Sequence, residues 1–197
     1  MDAIRTIISP FDERQIRALK AGESVRLSGL VYTGRDRLHA YLHGGGAAPV
    51  PLRDAAIYHC GPVVVPADGG GWRVVAAGPT TSSREEPYMA GIITHHGVRV
   101  IIGKGGMGDK TREACRTQGC VYLQAVGGAA ASLARRVTAV RRVFFLEEFG
   151  ATEAMWEWTV EGFEAVVGID THGRSLFDEI RQASGSRLAE LTYIQQF

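Results

Sequence analysis

The sequence contains few cysteines, little net charge and no long apolar run, and each of these features excludes a class of protein. Its three cysteines, Cys60, Cys115 and Cys120, form an odd and sparse set, which is typical of a reducing compartment rather than a disulfide-built secreted fold. A formal net charge of +1 provides no general attraction for nucleic acid or membranes. No apolar stretch is long enough to span a bilayer, and no basic segment followed by an apolar run begins the chain. We therefore expect a cytoplasmic protein that binds neither nucleic acid nor a membrane.

Glycine, by contrast, is abundant, and the 25 glycines cluster at the ends of short apolar runs. Several of these runs are followed by a glycine turn and then by a helical pattern, which is typical of the α/β class. The run over residues 98–102, apolar at every position except Arg99, predicts a strand that is covered on both faces. A chain of 197 residues with 45% hydrophobic residues is long enough to form one sizeable core.

Periodicity and turn residues predict further elements later in the chain. Alternation places Trp156, Trp158 and Val160 on one face of a strand. The other predicted elements that bear on the fold are a hairpin of strands 63–65 and 72–76, a separate strand over 165–169, and two terminal helices over 175–183 and 187–193.

The stretch from Gly78 to Gly108 predicts an anion site. It begins with Gly78-Pro79-Thr80-Thr81-Ser82-Ser83-Arg84, continues through a helix and a strand, and ends with Gly103-Lys104-Gly105-Gly106-Met107-Gly108. Ser83 and Glu86 have the spacing of a capping box, but four hydroxyls in a row exceed what one cap needs. Small polar turns beside apolar strands are where α/β proteins hold anionic ligands.

A second candidate is the junction Thr33-Gly34-Arg35-Asp36, which follows a predicted strand and precedes a short helix. One interpretation is a turn capped by Thr33 or Asp36, with Arg35 on the surface. The other interpretation is that Arg35 points into a site at the carboxyl end of the strand. We expect His39, in the helix that follows, to have a structural role.

Residues 103–108 match the pattern G-x-G-x-x-G between a strand and a helix, with Asp109 as the expected N-cap, and so resemble a dinucleotide-binding turn. The next strand, Cys120-Val121-Tyr122-Leu123-Gln124-Ala125, ends without the carboxylate that would hold a ribose hydroxyl. Lys104 inside the loop is also unusual for such a turn. A nucleotide-binding module therefore remains an alternative. The spacing of the three cysteines is poor for a metal site, so we expect this chain to bind no metal itself.

The order of six short motifs resembles the class I (iron–sulfur) fumarate hydratases, namely their C-terminal domain or separate β subunit, including the β subunit of L(+)-tartrate dehydratase. The resemblance covers about residues 5–180. The motifs are Thr33-Gly34-Arg35-Asp36 with His39, Ile57-Tyr58 leading to Gly61-Pro62, Gly78-Pro79-Thr80-Thr81-Ser82-Ser83-Arg84, Ile102-Gly103-Lys104, Val126-Gly127-Gly128-Ala129-Ala130, and Glu153-Ala154-Met155-Trp156.

This resemblance implies a fold and a domain division. The fold is α/β, a swivelling three-layer β/β/α domain with a largely parallel central sheet. It would cover residues 25–182, preceded by an approach segment over 1–24 and followed by a helical tail over 183–197. A 4Fe–4S cluster would be carried by a partner α subunit, where it acts as a Lewis acid, and this chain would bind no cofactor. The active site would lie between the two chains.

The resemblance also assigns roles to individual residues. Thr80 matches the position proposed as the catalytic base, and Arg35, Arg84 and Lys104 match positions that hold substrate carboxylates and hydroxyl. The implied reaction is the reversible hydration of fumarate to (S)-malate, with L(+)-tartrate or mesaconate chemistry as the alternative. The implied assembly is a homodimer or an α2β2 heterotetramer. After Arg84 the family usually has a Met-Asp-like pair, whereas this chain has Glu85-Glu86-Pro87.

Overall fold

The structure is a computed structural model, and it describes residues 4–194, except for the side chains of 192–194. The elements of this range, in chain order, are β1 (Arg5–Ile8), α1 (Glu13–Arg17), β2 (Ser24–Gly34), α2 (Asp36–His43), β3 (Ala56–His59), β4 (Val63–Pro66), β5 (Trp72–Ala76), a 3₁₀ helix (Ser82–Glu85), α3 (Glu86–His96), β6 (Val100–Gly103), α4 (Asp109–Gln118), β7 (Val121–Gln124), α5 (Ala130–Ala134), β8 (Val137–Phe144), α6 (Leu146–Phe149), β9 (Met155–Ile169) and α7 (Leu176–Ile194).

The central sheet is mixed but mostly parallel. β1, β2, β3, β6 and β7 are joined by parallel ladders, while β9 runs antiparallel to its neighbours. β9 pairs with β7, with β8 and along almost the whole of β2. Because β9 contacts both β2 and β7, the ladders β2–β3–β6–β7–β9 form a closed ring. The predicted α/β class with a largely parallel central sheet is confirmed.

Alternation along the parallel strands divides the core into two clusters. In β3, Ala56 and Tyr58 point into one cluster, which also holds Trp156 and Trp158 of β9. Ile57 points the other way, into a cluster filled by helices α2, α3 and α4. The predicted common face of Trp156 and Trp158 is therefore confirmed, and both faces of β3 are buried, as expected for a parallel strand.

The segment before β2 is part of the same core. β1 pairs in parallel with β2, and the first cluster contains its Ile7 together with Phe11, Ile16 and Leu19. The division at residues 24 and 182 stays a prediction, and residues 1–3 and 195–197 of the two outer segments lie outside the described range.

Two predicted element boundaries are wrong. β9 is one strand of 15 residues rather than two, because Gly162, at φ +59, accommodates an irregularity that leaves the pairing with β2 intact on both sides. α7 is one helix of 19 residues rather than two, since a glycine such as Gly185 costs a helix interior only about 1 kcal/mol relative to alanine. The hairpin of β4 and β5 is confirmed. None of the helices in residues 4–194 has the length and apolarity needed to cross a bilayer.

Candidate active site at the carboxyl edge of the parallel strands

The predicted site residues lie at one edge of the sheet. Because β2, β3, β6 and β7 run parallel, their carboxyl ends meet there, and parallel α/β folds bind ligands at this end of their strands. Arg35 directly follows β2, Gly61 lies just beyond β3, Lys104 directly follows β6, and Val126 lies just beyond β7. The segment containing Thr80 crosses the same edge.

Backbone hydrogen bonds hold the Thr80 segment between β3 and β6. The Thr80 amide donates to the carbonyl of His59 at 2.7 Å, and the Ser82 amide donates to the carbonyl of Lys104 at 2.9 Å. An isolated parallel bridge also joins Thr81 to Lys104. Thr80 is therefore half-buried on a fixed backbone, beside the strand end that carries Lys104.

Arg35 lies over the turn that follows β3. It occupies the N-cap position of α2 and makes no side-chain cap. A Cβ atom at Gly61 would stand 2.5 Å from an Arg35 guanidinium nitrogen, so a side chain there would displace the arginine. Nε of Arg35 is 3.5 Å from a Glu153 carboxylate oxygen. The Arg35 side chain is only 23% exposed and lies at the strand's carboxyl end, and that it points into a site stays a prediction.

The predicted caps Thr33 and Asp36 have other partners. The Thr33 hydroxyl donates to the carbonyl of Ala154 and accepts a hydrogen bond from the Trp156 amide, which ties β2 to β9. The Asp36 carboxylate forms an ion pair with Arg84. Arg84 itself is 52% exposed, so its remaining guanidinium donors face solvent.

Lys104 extends along the loop that follows β7. A Cβ atom at Gly127 would be in ordinary contact with Lys104 Cδ at 3.5 Å. Within residues 4–194, no carboxylate lies within 4.0 Å of the Lys104 ammonium group. Lys104 thus differs from Arg35 and Arg84, each of which already has a carboxylate neighbour.

Beneath these residues lies a buried polar chain. Tyr122 donates a hydrogen bond to Ser82 Oγ at 3.0 Å, and Ser82 Oγ is 2.9 Å from His59 Nδ1. The Gly106 amide donates to the Tyr122 hydroxyl. Burial, reinforced by the nearby His39, holds the pKa of His59 well below its usual value, while burial raises the pKa of Tyr122 to about 12. His59 is therefore neutral and shares a hydrogen bond with the Ser82 hydroxyl, which fixes the 3₁₀ helix below Thr80.

Glu85 and Glu86, which replace the usual family pair, have different partners. Glu85 is fully buried with an oxygen 3.0 Å from His39 Nδ1. Glu86 accepts hydrogen bonds from the amides of Gly108 and Thr111 and from the Thr111 hydroxyl. The predicted capping box of Ser83 is therefore wrong, because α3 begins without a side-chain cap and the Glu86 carboxylate caps α4 instead.

The loop after β6 differs from a dinucleotide-binding turn because a carboxylate of the protein itself occupies the N-terminus of α4. The N-cap of α4 is Gly108 and not the predicted Asp109, which is the first residue of the helix. In a dinucleotide-binding fold, a pyrophosphate contacts the amides at this end. Here the Glu86 carboxylate binds them, and a second anion at the same amides would be repelled.

The thiols do not form a metal-binding set. Cys60, Cys115 and Cys120 are all free and buried, but Cys60 packs in the first core cluster while Cys115 and Cys120 pack in the second. Burial raises the pKa of both Cys60 and Cys120. In the part of the chain that the structure describes, no three His, Cys, Asp or Glu side chains converge on a metal position.

Comparisons with known proteins give one family. The family model described as "Fumarase C-terminus" matches residues 4–180. A Geobacillus stearothermophilus protein named "Putative fumarate hydratase class I" is 50% identical over 94% of this chain. The match spans about a third of that relative, since it covers 36% of its length.

Two further relatives match over nearly their whole length. The first, from Methanocaldococcus jannaschii, is named "Putative L(+)-tartrate dehydratase subunit beta"; it is 36% identical over 91% of this chain and 94% of its own. The second, named "L(+)-tartrate dehydratase subunit beta" and from Escherichia coli K12, is 32% identical over 93% of this chain and 91% of its own.

Proposed function

The chain belongs to the fumarase C-terminus family, and from that premise we propose that it is the β-type component of a two-part iron–sulfur hydro-lyase that interconverts fumarate and (S)-malate. The observation that carries this proposal is the placement of Arg35, Arg84 and Lys104 with Thr80 at one edge of the sheet. Three cations beside a hydroxyl suit a substrate that has two carboxylates and exchanges water.

We propose that the three cations form the clamp for the dicarboxylate. Arginine binds a carboxylate through two parallel hydrogen bonds, whereas lysine acts as a point charge. Asp36 and Glu153 hold Arg84 and Arg35 from one side, and each guanidinium keeps further N–H donors for a ligand. Lys104, with no carboxylate neighbour in the described range, is the cation most available to a substrate hydroxyl or carboxylate.

We propose that Thr80 is the base that takes a proton from malate at C3. A free threonine hydroxyl is a weak base near neutral pH, so the site has to favour its ionised form. The bridge between Thr81 and Lys104 brings the end of β6 next to Thr80. A nearby ammonium group stabilises an alkoxide and lowers the pKa of the hydroxyl. The hydrogen bond from the Thr80 amide to His59 keeps the backbone in place during the transfer.

The cluster is assigned to a partner subunit. A cluster held by this chain would need thiolates that converge, and the three buried thiols are split between two core clusters. We therefore propose that an α subunit holds the 4Fe–4S cluster and that the active site forms between the two chains. The names of the tartrate dehydratase relatives, which are called β subunits, support a partner of this kind.

We propose a moving role for this chain. We propose that it is a swivelling three-layer β/β/α domain. The two core clusters on opposite sides of β3, β6 and β7 support a layered arrangement. We also propose an α2β2 heterotetramer, or a homodimer of this chain, located in the cytoplasm, which the free thiols support.

One alternative has an observation behind it, and a second has an observation against it. L(+)-tartrate or mesaconate could replace malate, because relatives named for tartrate match this chain over nearly their whole length. A nucleotide-binding module is weaker, because Glu86 already binds the α4 amides. Tight binding of NAD or ATP in a titration would favour that module and contradict the hydro-lyase.

The test is co-expression with an α-type subunit under anaerobic conditions, followed by assays with fumarate, L(+)-tartrate and mesaconate. We expect the complex to hydrate fumarate and the iron-free chain alone to do nothing. Hydration of fumarate by the isolated chain would contradict the proposal that the cluster of an α subunit is required for the reaction. A complex that turns over only tartrate would establish the alternative.

A further inference from the structure

Glu85 and His39 form a buried acid–base pair directly behind the candidate clamp. Both side chains are fully excluded from solvent, and Glu85 Oε2 lies 3.0 Å from His39 Nδ1. Burying a carboxylate is costly unless a hydrogen-bonded or cationic partner compensates. Among the described residues, neither Glu85 oxygen and neither His39 nitrogen has a hydrogen-bond partner, so the 3.0 Å approach of the two side chains is the polar contact on which each depends. Removing either partner leaves the other buried without that contact.

The pair joins the two elements that carry the clamp arginines. Glu85 directly follows Arg84 in the 3₁₀ helix, and His39 is in the first turns of α2, just beyond Arg35. The same two elements are joined a second time on the solvent side by Arg84 and Asp36. Water screens the exposed Arg84–Asp36 pair, so this pair restrains the two elements only weakly. The buried contact between Glu85 and His39 is not screened by water.

The surroundings of the pair point to the same role. The ring of His59 meets the ring of His39 edge-on, with the ring centroids 5.0 Å apart, and His59 contacts Ser82. Gly34 also leaves room for His39, since a Cβ atom there would lie 3.1 Å from His39 Cε1. The imidazole of His39 is thus confined on several sides. Because Glu85 contacts this imidazole, the position of Glu85 is restricted as well.

We propose that Glu85 and His39 are a positioning pair that sets the separation between the guanidinium groups of Arg35 and Arg84, and thereby the fit of the site to a four-carbon dicarboxylate. This inference rests on the proposed function of those arginines. The pair touches no substrate. Its effect is on binding, because a clamp with the wrong spacing holds both ends of a dicarboxylate less well.

The test uses Glu85→Gln and Glu85→Met in the complex with the α-type subunit. Glutamine keeps the shape and removes the charge, while methionine fills the volume with an apolar side chain. We expect KM for fumarate and malate to rise about tenfold in both variants, with kcat within about twofold, as for loss of uniform binding. The matched control is Asp54→Asn, which removes the Arg99 ion pair at the opposite edge of the sheet. This control should lower thermal stability and leave KM unchanged.

A second readout does not depend on turnover. In the full chain alone, the ¹H–¹⁵N Nε signals of Arg35 and Arg84 should both shift or broaden in Glu85→Gln, and neither should move in Asp54→Asn. Unchanged signals in Glu85→Gln would overturn the positioning role, as would an unchanged KM in both Glu85 variants or an equal rise of KM in the control. An inactive wild-type complex would refute the proposed reaction, and the signals of the two arginines would still decide the positioning role.

Discussion

Arg84 forms an ion pair with Asp36, the residue that directly follows Arg35. Arg84 is therefore tied to the residue next to Arg35 in the chain, and in the proposed clamp the Asp36 carboxylate would orient Arg84 and compete with a substrate for it. Because the pair is largely exposed, its contribution to folding is about 0–1 kcal/mol. The role of Arg84 can thus be tested with little effect on the fold.

Arg84→Lys should weaken substrate binding without unfolding the protein. Lysine keeps the charge but loses the two parallel hydrogen bonds to a carboxylate, so we expect KM to rise by about tenfold, which corresponds to about 1.4 kcal/mol. Steady-state kinetics of the complex and the melting temperature of the chain measure the two effects separately.

The matched control is Arg37→Lys, an exposed arginine on α2 that stacks over Phe149 outside the site. It should leave KM at the wild-type value. Equal KM values for Arg84→Lys and Arg37→Lys would remove Arg84 from the clamp.

Gly103→Ala should destabilise the fold beneath the site. A Cβ atom at Gly103 would collide with Ser82 Oγ, which is bonded to His59 and Tyr122. Overpacking of this kind costs about 1–3 kcal/mol, measurable by urea unfolding. In Gly127→Ala the new methyl group would lie at ordinary contact distance from Lys104, so this control should unfold close to wild type. A Gly103→Ala protein as stable as the control would show that the Ser82 network tolerates displacement.

Acid should weaken the fold through His59. Its pKa in the folded protein lies well below the usual 6.5 because it is buried beside His39, while in the unfolded chain it takes up a proton near that value. The stabilisation that the neutral His59 provides is therefore complete above the pKa of His59 in the unfolded chain. It is lost as the pH falls from that value towards the lower pKa of His59 in the folded protein. The slope is at most about 1.4 kcal/mol per pH unit for one proton.

His59→Asn provides the comparison, since the amide can still contact Ser82 but does not titrate. Urea unfolding from about pH 7.5 to pH 5 should show a flatter pH dependence for this variant. His39 is common to both proteins, so the difference reports His59. Parallel curves would mean that His59 keeps an ordinary pKa when folded.

Elements with a clear local pattern could be predicted from the sequence. The glycine-rich turn between β4 and β5 and the alternation of Trp156 and Trp158 each depend on neighbouring residues only. Prediction failed where a residue hydrogen-bonds to a group that is distant in sequence instead of to a neighbouring one. Ser83 and Glu86 have capping-box spacing, but Glu86 contacts Gly108 and Thr111 of a later element, which no local rule reveals.

The same distinction holds for the site. Arg35 and Lys104 could be placed at this edge because each comes shortly after a predicted strand, and parallel strands end at one edge. The contact of Glu85 with His39 could not, since it joins two helices from separate parts of the chain. The ion pairs of Glu13 and Asp54 with Arg99 could not be predicted from the sequence either, because the three residues are far apart in the chain. A signal for Glu85 was present nonetheless in the resemblance itself, which implies a Met-Asp-like pair where this chain has Glu85-Glu86-Pro87.

The turnover of the complex that contains Thr80→Ala tests the central claim most directly. If Thr80 is the base, kcat should fall by about 10²–10⁴-fold with little change in KM, whereas Thr81→Ala, which removes the neighbouring exposed hydroxyl, should stay close to wild type. A Thr80→Ala complex that hydrates fumarate at the wild-type rate would contradict the account.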